Sequence, residues 1–319
     1  MTKRPERAVF IEAYDRLEAD INALADEFDC HPKTIKNWIS LIVDGVESKK
    51  GHKVEKLDFD GYHKAYKDSL TKAIDNHVTI RVNRSVVIAC LSDTHLGNVH
   101  TDIDWLAEDT KLIRDTDGVY AMFVGDILDY TTGGPRGLLN EQVFPQTIHT
   151  KDMAEQWIKE LSSKMLLMIS GCHDRWEYVI TGEHFLTNAV KNIITQEFRP
   201  DCAFIDLVVG DISYSIFATH KLRGGGTQNP SHGIYRKARE NMIFDIGIEA
   251  HKHRPGIAQQ MIQDRLVTAI NCGTYKKIDG YAKQLGIPQQ PMSIPGFYVD
   301  AERKIVIPLI NWRDGLKLL

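Results

Sequence analysis

The sequence has no long hydrophobic run, no internal repeat, no low-complexity tract and no closely spaced cysteine pair, and each absence excludes something. No segment approaches the roughly 18 consecutive apolar residues of a membrane span, so no transmembrane helix and no membrane partner is expected. The opening stretch, MTKRPERAVFIEAYDRLEAD, has acidic groups where a secretion signal needs an apolar run. The five cysteines, Cys30, Cys90, Cys172, Cys202 and Cys272, are odd in number and scattered. That fits neither a disulfide framework nor a CxxC zinc or redox motif, and points to free thiols in a reducing, cytoplasmic compartment. Excess charge is missing too. With 39 basic against 43 acidic residues the formal net charge is -4, which argues against a surface coated uniformly in nucleic acid but leaves room for local basic patches.

What remains is the composition of an ordinary globular protein: 319 residues, 43% hydrophobic and 26% charged. That length allows a main domain with a sizeable core and a smaller companion. Residues 1–44 read as a small helical domain. Ile21, Leu24, Ala25 and Phe28 have helical spacing, Asp29 and Cys30 interrupt it, and Ile35, Trp38, Ile39 and Ile42 resume it after Pro32, a residue tolerated at a first helical position. Residues 45–77 read as a linker and connecting helix: the charged stretch DGVESKKGHKVEK, then Tyr62, Tyr66, Leu70 and Ile74 at four-residue intervals. From residue 78 to 319 short β-rich runs alternate with helical stretches, which predicts an α/β domain. The run DLVVGDISYSIF predicts a hairpin at Gly210-Asp211, so the sheet is expected to be mixed.

The residues with chemistry lie just beyond the strands. VVIACL runs into Asp93-Thr94-His95, VYAMFV into Gly125-Asp126, KMLLMIS into Gly171-Cys172-His173-Asp174, YSIFAT into His220, and IFDIGIE into His251-Lys252-His253. Ligands of α/β proteins bind beyond strand C-termini, so these five endings, far apart in sequence, can converge on one crevice. One Asp-x-His is a chance event, and a lone histidine is more often structural than a ligand. Five endings in order are not chance. Mixed imidazole and carboxylate donors suit manganese, iron or zinc better than calcium or magnesium, which prefer oxygen shells. Arg175, Trp176 and Tyr178 are weaker candidates for phosphate or base contacts, Arg136 lies in a loop that could close on substrate, Gly224 to Gly226 read as a rim loop and not a nucleotide phosphate loop, and the segments after residue 260 carry no chemistry on this reading.

In this order the motifs DTH, GD, GCHD, a lone His and HKH resemble the signature D-x-H, G-D, G-N-H-[DE], H, G-H-x-H of the calcineurin-like metallophosphoesterases, over roughly residues 85 to 255. The resemblance implies a two-layered mixed β-sandwich flanked by helices. It implies two divalent ions, manganese first with zinc or iron as alternatives: one held by Asp93, His95, Asp126 and His253, the other by Asp126, Cys172, His220 and His251. It makes His173 the general acid or transition-state stabiliser, with Asp129 orienting it and keeping it protonated further up the pH scale. Two departures stand out. Cys172 replaces asparagine, which would favour zinc or iron at the second position, and Ala250 replaces glycine.

The run NALADEFDCHPKTIKNWI resembles the helix-turn-helix units of small DNA-binding domains, which would turn Lys33, Thr34, Lys36 and Asn37 toward DNA; Asp29 stands where many such units have glycine. The leading expectation is therefore a metal-dependent phosphodiesterase acting on DNA, similar to phage-encoded phosphoesterases and repair exonucleases and working in the cytoplasm, that of the host in the phage case. A homo-oligomer is compatible with it. The competing expectations are a protein or small-molecule phosphatase, favoured by the acidic Asp129, and a non-catalytic DNA-binding or assembly protein with a decayed metal site, for which Cys172 and Ala250 speak.

Overall fold

The computed structural model describes residues 5, 7–17, 20–42, 58–74, 77–129, 141–144, 147–181, 185–193, 197–199, 201–224, 229–240, 242–277, 283, 286 and 292–319. The linker expected after residue 44, up to residue 57, and the segment with Arg136 lie outside them, as do Gly225, Gly226 and His184. The chain divides into two compact units, residues 1–72 and 73–319. No helix among the described residues is long and apolar enough to cross a membrane.

In the first unit, helices α1 (Arg7–Arg16), α2 (Ile21–Glu27) and α3 (Pro32–Ile42) bury Phe10, Ala13, Leu24, Ala25, Ile35 and Trp38 in one small core. Asp20 caps α2 by accepting hydrogen bonds from the backbone N–H groups of Asn22 and Ala23. Asp29, between α2 and α3, sits at φ 43°, the left-handed conformation that glycine adopts most easily and that Asp tolerates better than most residues. Helix α4 (Phe59–Ile74) comes next, with Tyr62 and Tyr66 exposed rather than on a buried face.

The second unit is built on two six-stranded mixed sheets. The first contains β2 (Val86–Leu91), β3 (Val119–Val124), β4 (Met165–Ile169) and β5 (Glu197–Arg199) in parallel, with antiparallel β11 (Gly296–Val299) and β12 (Val306–Leu309) completing it beyond β2. The second runs β1 (His77–Val82), β6 (Cys202–Val209), β7 (Ile212–Thr219), β8 (Ile246–Glu249), β10 (Arg265–Asn271), β9 (Gly256–Ile262). Within it β7, β8 and β10 are mutually parallel, and β6 and β7 form the expected hairpin at Gly210.

Strand β2 shows how the sequence makes a sandwich. Its side chains alternate: Val86, Ile88 and Cys90 join the core between the sheets, where Ile205, Leu207, Ile216, Ile248 and Ile270 meet them, while Val87, Ala89 and Leu91 face the helices. Because both faces are covered, the strand is apolar throughout. A bulge opposite Ala121 and Met122 breaks this alternation in β4, so that Leu166 and Leu167 both enter the inter-sheet core. Helices α5 (Ile103–Asp115), α6 (Thr147–Glu160) and α8 (Phe185–Ile193) cover the outer face of the first sheet, together with the 3-10 turn Trp312–Leu318. Helix α9 (His232–Arg239) covers the second. The result is the two-layered sandwich flanked by helices that the resemblance implies.

Candidate metal centre

Five parallel strands deliver the expected residues to one place. Asp93 follows β2, Asp126 follows β3, Cys172 and His173 open helix α7 (Cys172–Thr181) after β4, His220 follows β7, and His251 and His253 follow β8. Donor atoms lie within 4.8 Å of one another in the groups Asp93–His95–His253, Cys172–His220–His251, Asp93–Asp126–His220 and His95–Asp126–His173. The first two groups form separate halves, and Asp126 stands in the group that links them, between Asp93 of one and His220 of the other.

The backbone bends sharply to do this. Of the eight non-glycine residues with positive φ among those described, Asp93, His95, Asp126, His251 and His253 are five, at φ 45° to 71°. Such conformations cost on the order of 1 kcal/mol or more each and persist where surrounding bonds enforce them. The enforcing bonds cross from sheet to sheet. The backbone N–H of His251 donates to Asp93 Oδ2 at 3.2 Å, and His220 Nδ1 lies 2.7 Å from the carbonyl oxygen of Val124. Asp174, to which the sequence motif assigned no role, binds four backbone N–H groups: Asp126 (2.9 Å), Ile127 (3.0 Å), Leu128 (3.4 Å) and Gly171 (2.7 Å). It staples the turn after β3 to the turn after β4. Gly171 has to be glycine, since a Cβ there would overlap the backbone nitrogen and Oδ1 of Asp126.

The donor atoms are close together but not aligned as hydrogen bonds. His253 Nε2 lies 3.0 Å from Asp93 Oδ1 and His220 Nε2 lies 3.1 Å from Asp126 Oδ2, yet Asp93 Oδ1 and His220 Nε2 are buried without an aligned hydrogen-bond partner. The Nε2 atoms of His95 and His253 are 3.0 Å apart. Converging, misaligned donors of this kind are satisfied by a cation that all of them can ligate rather than by a proton shared by two. Two of the rings have a neighbour at their second nitrogen: Asp129 Oδ1 is 3.0 Å from His95 Nδ1, in ion-pair contact without hydrogen-bond alignment, and the Val124 carbonyl faces His220 Nδ1. Outer partners of this type hold the ring nitrogen of a metal-ligating histidine in place. The residues therefore fit divalent metal binding.

Charge is tuned to match. Burial opposes ionisation of Asp93 and Asp126, but His253 and His95 around the first, and His220 beside the second, outweigh it and hold both carboxyls well below their ordinary range. Burial also works against a charged Cys172, and hydrogen bonding to His220 and His251 overcomes it, lowering the thiol to about 6.

One correction is geometric: Asp129 lies closer to His95 than to His173. Its Oδ1 is 3.9 Å from His173 Nδ1 but 3.0 Å from both His95 Nδ1 and Lys276 Nζ, while Oδ2 accepts from Asn98 (2.7 Å) and Gln142 (3.0 Å). Burial, and then the neighbouring His95, push His173 down to about 4. His173 stacks instead on Trp176, ring centroids 4.1 Å apart, which gives that tryptophan a place beside the site. Arg175 pairs with Asp201, and Tyr178 is exposed. A second correction concerns the segments after residue 260. Strand β10 ends at the same edge as β8, and Thr274 and Lys276 beyond it reach Asp93 O (2.7 Å) and Asp129. A strand ending in CGTYKK had the signal that found the other ligands, but no histidine or carboxylate drew attention to it.

The second unit is thus a mixed two-sheet sandwich in which D-x-H, G-D, x-H-D, H and H-x-H each follow a strand. No protein-family model matches the sequence, and no curated protein sequence matches it. Among solved structures the chain is similar to a predicted phosphoesterase from Streptococcus pneumoniae, at 11% identity and TM-score 0.31 over 71% of this chain and 99% of that one. It is also similar to zinc-complexed Vps29 from Entamoeba histolytica, at 10% identity and TM-score 0.35 over 70% and 97% of the two chains. A third likeness is to the nuclease MPE of Pseudomonas putida, at 15% identity and TM-score 0.31 over 70% and 87%.

Proposed function

We propose that the protein is a two-metal phosphoesterase that hydrolyses phosphodiester bonds, with DNA as its substrate. The observation that carries the reading is the pair of donor groups, Asp93–His95–His253 and Cys172–His220–His251, with Asp126 close to both. One ion would be held by Asp93, His95, Asp126 and His253, the other by Asp126, Cys172, His220 and His251. When bound, such a pair supplies charge neutralisation at the phosphate oxygens and a lowered pKa for the attacking water. The nitrogen and oxygen donors of the first half accept manganese, zinc or iron, whereas a thiolate at Cys172 favours zinc or iron in the second.

The protein's own groups have distinct roles. His173, half-buried beside the cluster and with its pKa lowered by burial, would donate a ring N–H to charge developing on the phosphate. Trp176 fixes the plane of that ring. Asp129, held by Lys276, Asn98 and Gln142, positions His95.

The DNA reading rests on the first unit. Lys33 and Lys36 are exposed on α3 and Thr34 is half-exposed; the side chain of Asn37 is outside the described residues. We assign α2 and α3 as a helix-turn-helix whose second helix carries these groups to the phosphate backbone and base edges.

The test is hydrolysis of bis-p-nitrophenyl phosphate and of linear single- and double-stranded DNA by metal-stripped protein resupplied with manganese, zinc, iron or magnesium. Cleavage of diester and DNA, abolished by Asp126→Ala, is expected. Activity on monoesters alone would transfer the protein to the phosphatase reading, and inactivity with every metal would leave a non-catalytic DNA-binding or assembly protein.

A further inference from the structure

Between Thr219 and Arg239 the sequence holds Lys221, Arg223, Arg236, Lys237 and Arg239 and not one Asp or Glu; between Ala250 and Gln263 it holds Lys252 and Arg254 and again no carboxylate. In a chain with more acidic than basic residues, seven cations on two segments free of acid form a marked asymmetry.

The fold gathers these segments into one corner. They leave the neighbouring parallel strands β7 and β8 directly after the candidate ligands, and the N–H of Ala250 donates to the carbonyl of His220 at 3.2 Å. Leu222 donates its N–H to Glu249 Oε1 at 3.0 Å and packs against Gly233 at the start of α9. His232 Nδ1 lies 2.7 Å from the carbonyl oxygen of Gly224, and the Arg236 guanidinium lies over the same glycine. Lys252 Nζ donates to the Pro230 carbonyl at 2.9 Å, which ties the second segment to the loop before α9.

The cations differ in availability. Lys252 is turned inward onto Glu249 at 2.8 Å, while Arg236 and Lys237 share Glu240, at 3.4 and 3.2 Å. Lys221 and Arg223 are exposed, one and three residues beyond His220. Bound ions would neutralise a phosphate at the cluster, so exposed cations outside it are useful to a substrate that carries further phosphates.

We propose that this corner is the track along which a nucleic-acid strand lays the phosphates flanking the scissile one, with Lys221 and Arg223 as its contacts nearest the candidate ligands. Contacts to successive backbone phosphates set position without reading sequence, which suits two exposed side chains on a loop. The proposal deepens the phosphodiesterase reading and rests on it.

The experiment is fluorescence anisotropy of labelled single- and double-stranded oligonucleotides with full-length, metal-free protein over a range of salt, comparing wild type with Lys221→Glu/Arg223→Glu. Binding should weaken about tenfold or more, and the slope of log affinity against log salt should fall by about two, one for each lost phosphate contact. The charge-conserving Lys221→Arg/Arg223→Lys should bind as wild type does, and the loss for DNA should exceed any change in hydrolysis of a small chromogenic diester. An unchanged affinity and slope would overturn the assignment. So would an acidic phosphopeptide that binds as tightly as DNA and is lost to the same extent. If the wild type fails to hydrolyse the small diester while the DNA-binding loss is seen, the hydrolase reading falls, and with it the track as a substrate path; the corner then remains a nucleic-acid-binding surface.

Discussion

Asp129 Oδ1 lies 3.0 Å from His95 Nδ1, while His95 Nε2 points toward His253 and Asp93. A carboxylate behind a ligating imidazole fixes its tilt and raises its basicity. Asp129→Asn should therefore lower affinity for the ion at Asp93, His95 and His253 by about 10- to 100-fold. Competition with a chromophoric chelator measures this. Unchanged affinity with an altered pH profile of kcat would mean that Asp129 serves His173 instead.

The pH dependence of metal uptake follows from the same pair. Burial and Lys276 work against a charged His95, but Asp129 and Asp93 outweigh them and lift it to about 9. A bound ion must displace that proton, so affinity should rise with pH up to about 9 and then level off. In the metal-free protein the sign for stability is the reverse. A folded pKa raised from 6.5 to about 9 adds stability that is complete below 6.5 and lost as pH rises through 9. Chelated protein should thus melt at a lower temperature at pH 9 than at pH 6, as calorimetry would show.

Gly171→Ala should remove activity and weaken metal binding, because the new methyl displaces the Asp126 backbone and carboxylate together. Overpacking of this kind costs about 1–3 kcal/mol or more. Isothermal titration with the metal, alongside urea unfolding, separates the two effects.

Asp174→Ala leaves four backbone N–H groups without their acceptor, three of them in the Asp126 turn. A loss of at least about 3 kcal/mol in urea unfolding is expected, with a smaller loss for Asp174→Asn, which keeps one acceptor oxygen. A variant as stable as wild type would show that the staple is dispensable.

Cys172 should alkylate with iodoacetamide in metal-free protein with an apparent pKa near the value of about 6 that its two histidines impose. Burial raises Cys90 and Cys272 instead, so these two should stay unreactive at neutral pH. Bound metal should protect Cys172. Protection that does not develop with zinc or iron would remove the thiolate from the ligand set.

The order of amino acids is enough to specify a mixed α/β domain and the succession of candidate ligands at its strand ends. Apolar runs such as VVIACL are long enough for one strand and apolar on both faces, which only a strand covered on both sides can be. The polar residue after each run marks the edge where a strand leaves the core, so Asp93, Asp126, Cys172, His220 and His251 were legible without coordinates.

Packing between distant segments sets what those residues face. Asp129 sits three positions from Asp126, and nothing in that spacing says whether it turns to His95 or to His173; contact with Lys276, Asn98 and Gln142, distant in sequence, settles it. Lys276 and Thr274 follow β10, which forms a hairpin with β9 and pairs in parallel with β8, and Asp174 acts through backbone N–H groups, which carry no side-chain signature. Local periodicity sets which face of an element is buried. Which distant groups meet at its end depends on strand order in the sheets, and strand order belongs to the folded chain as a whole.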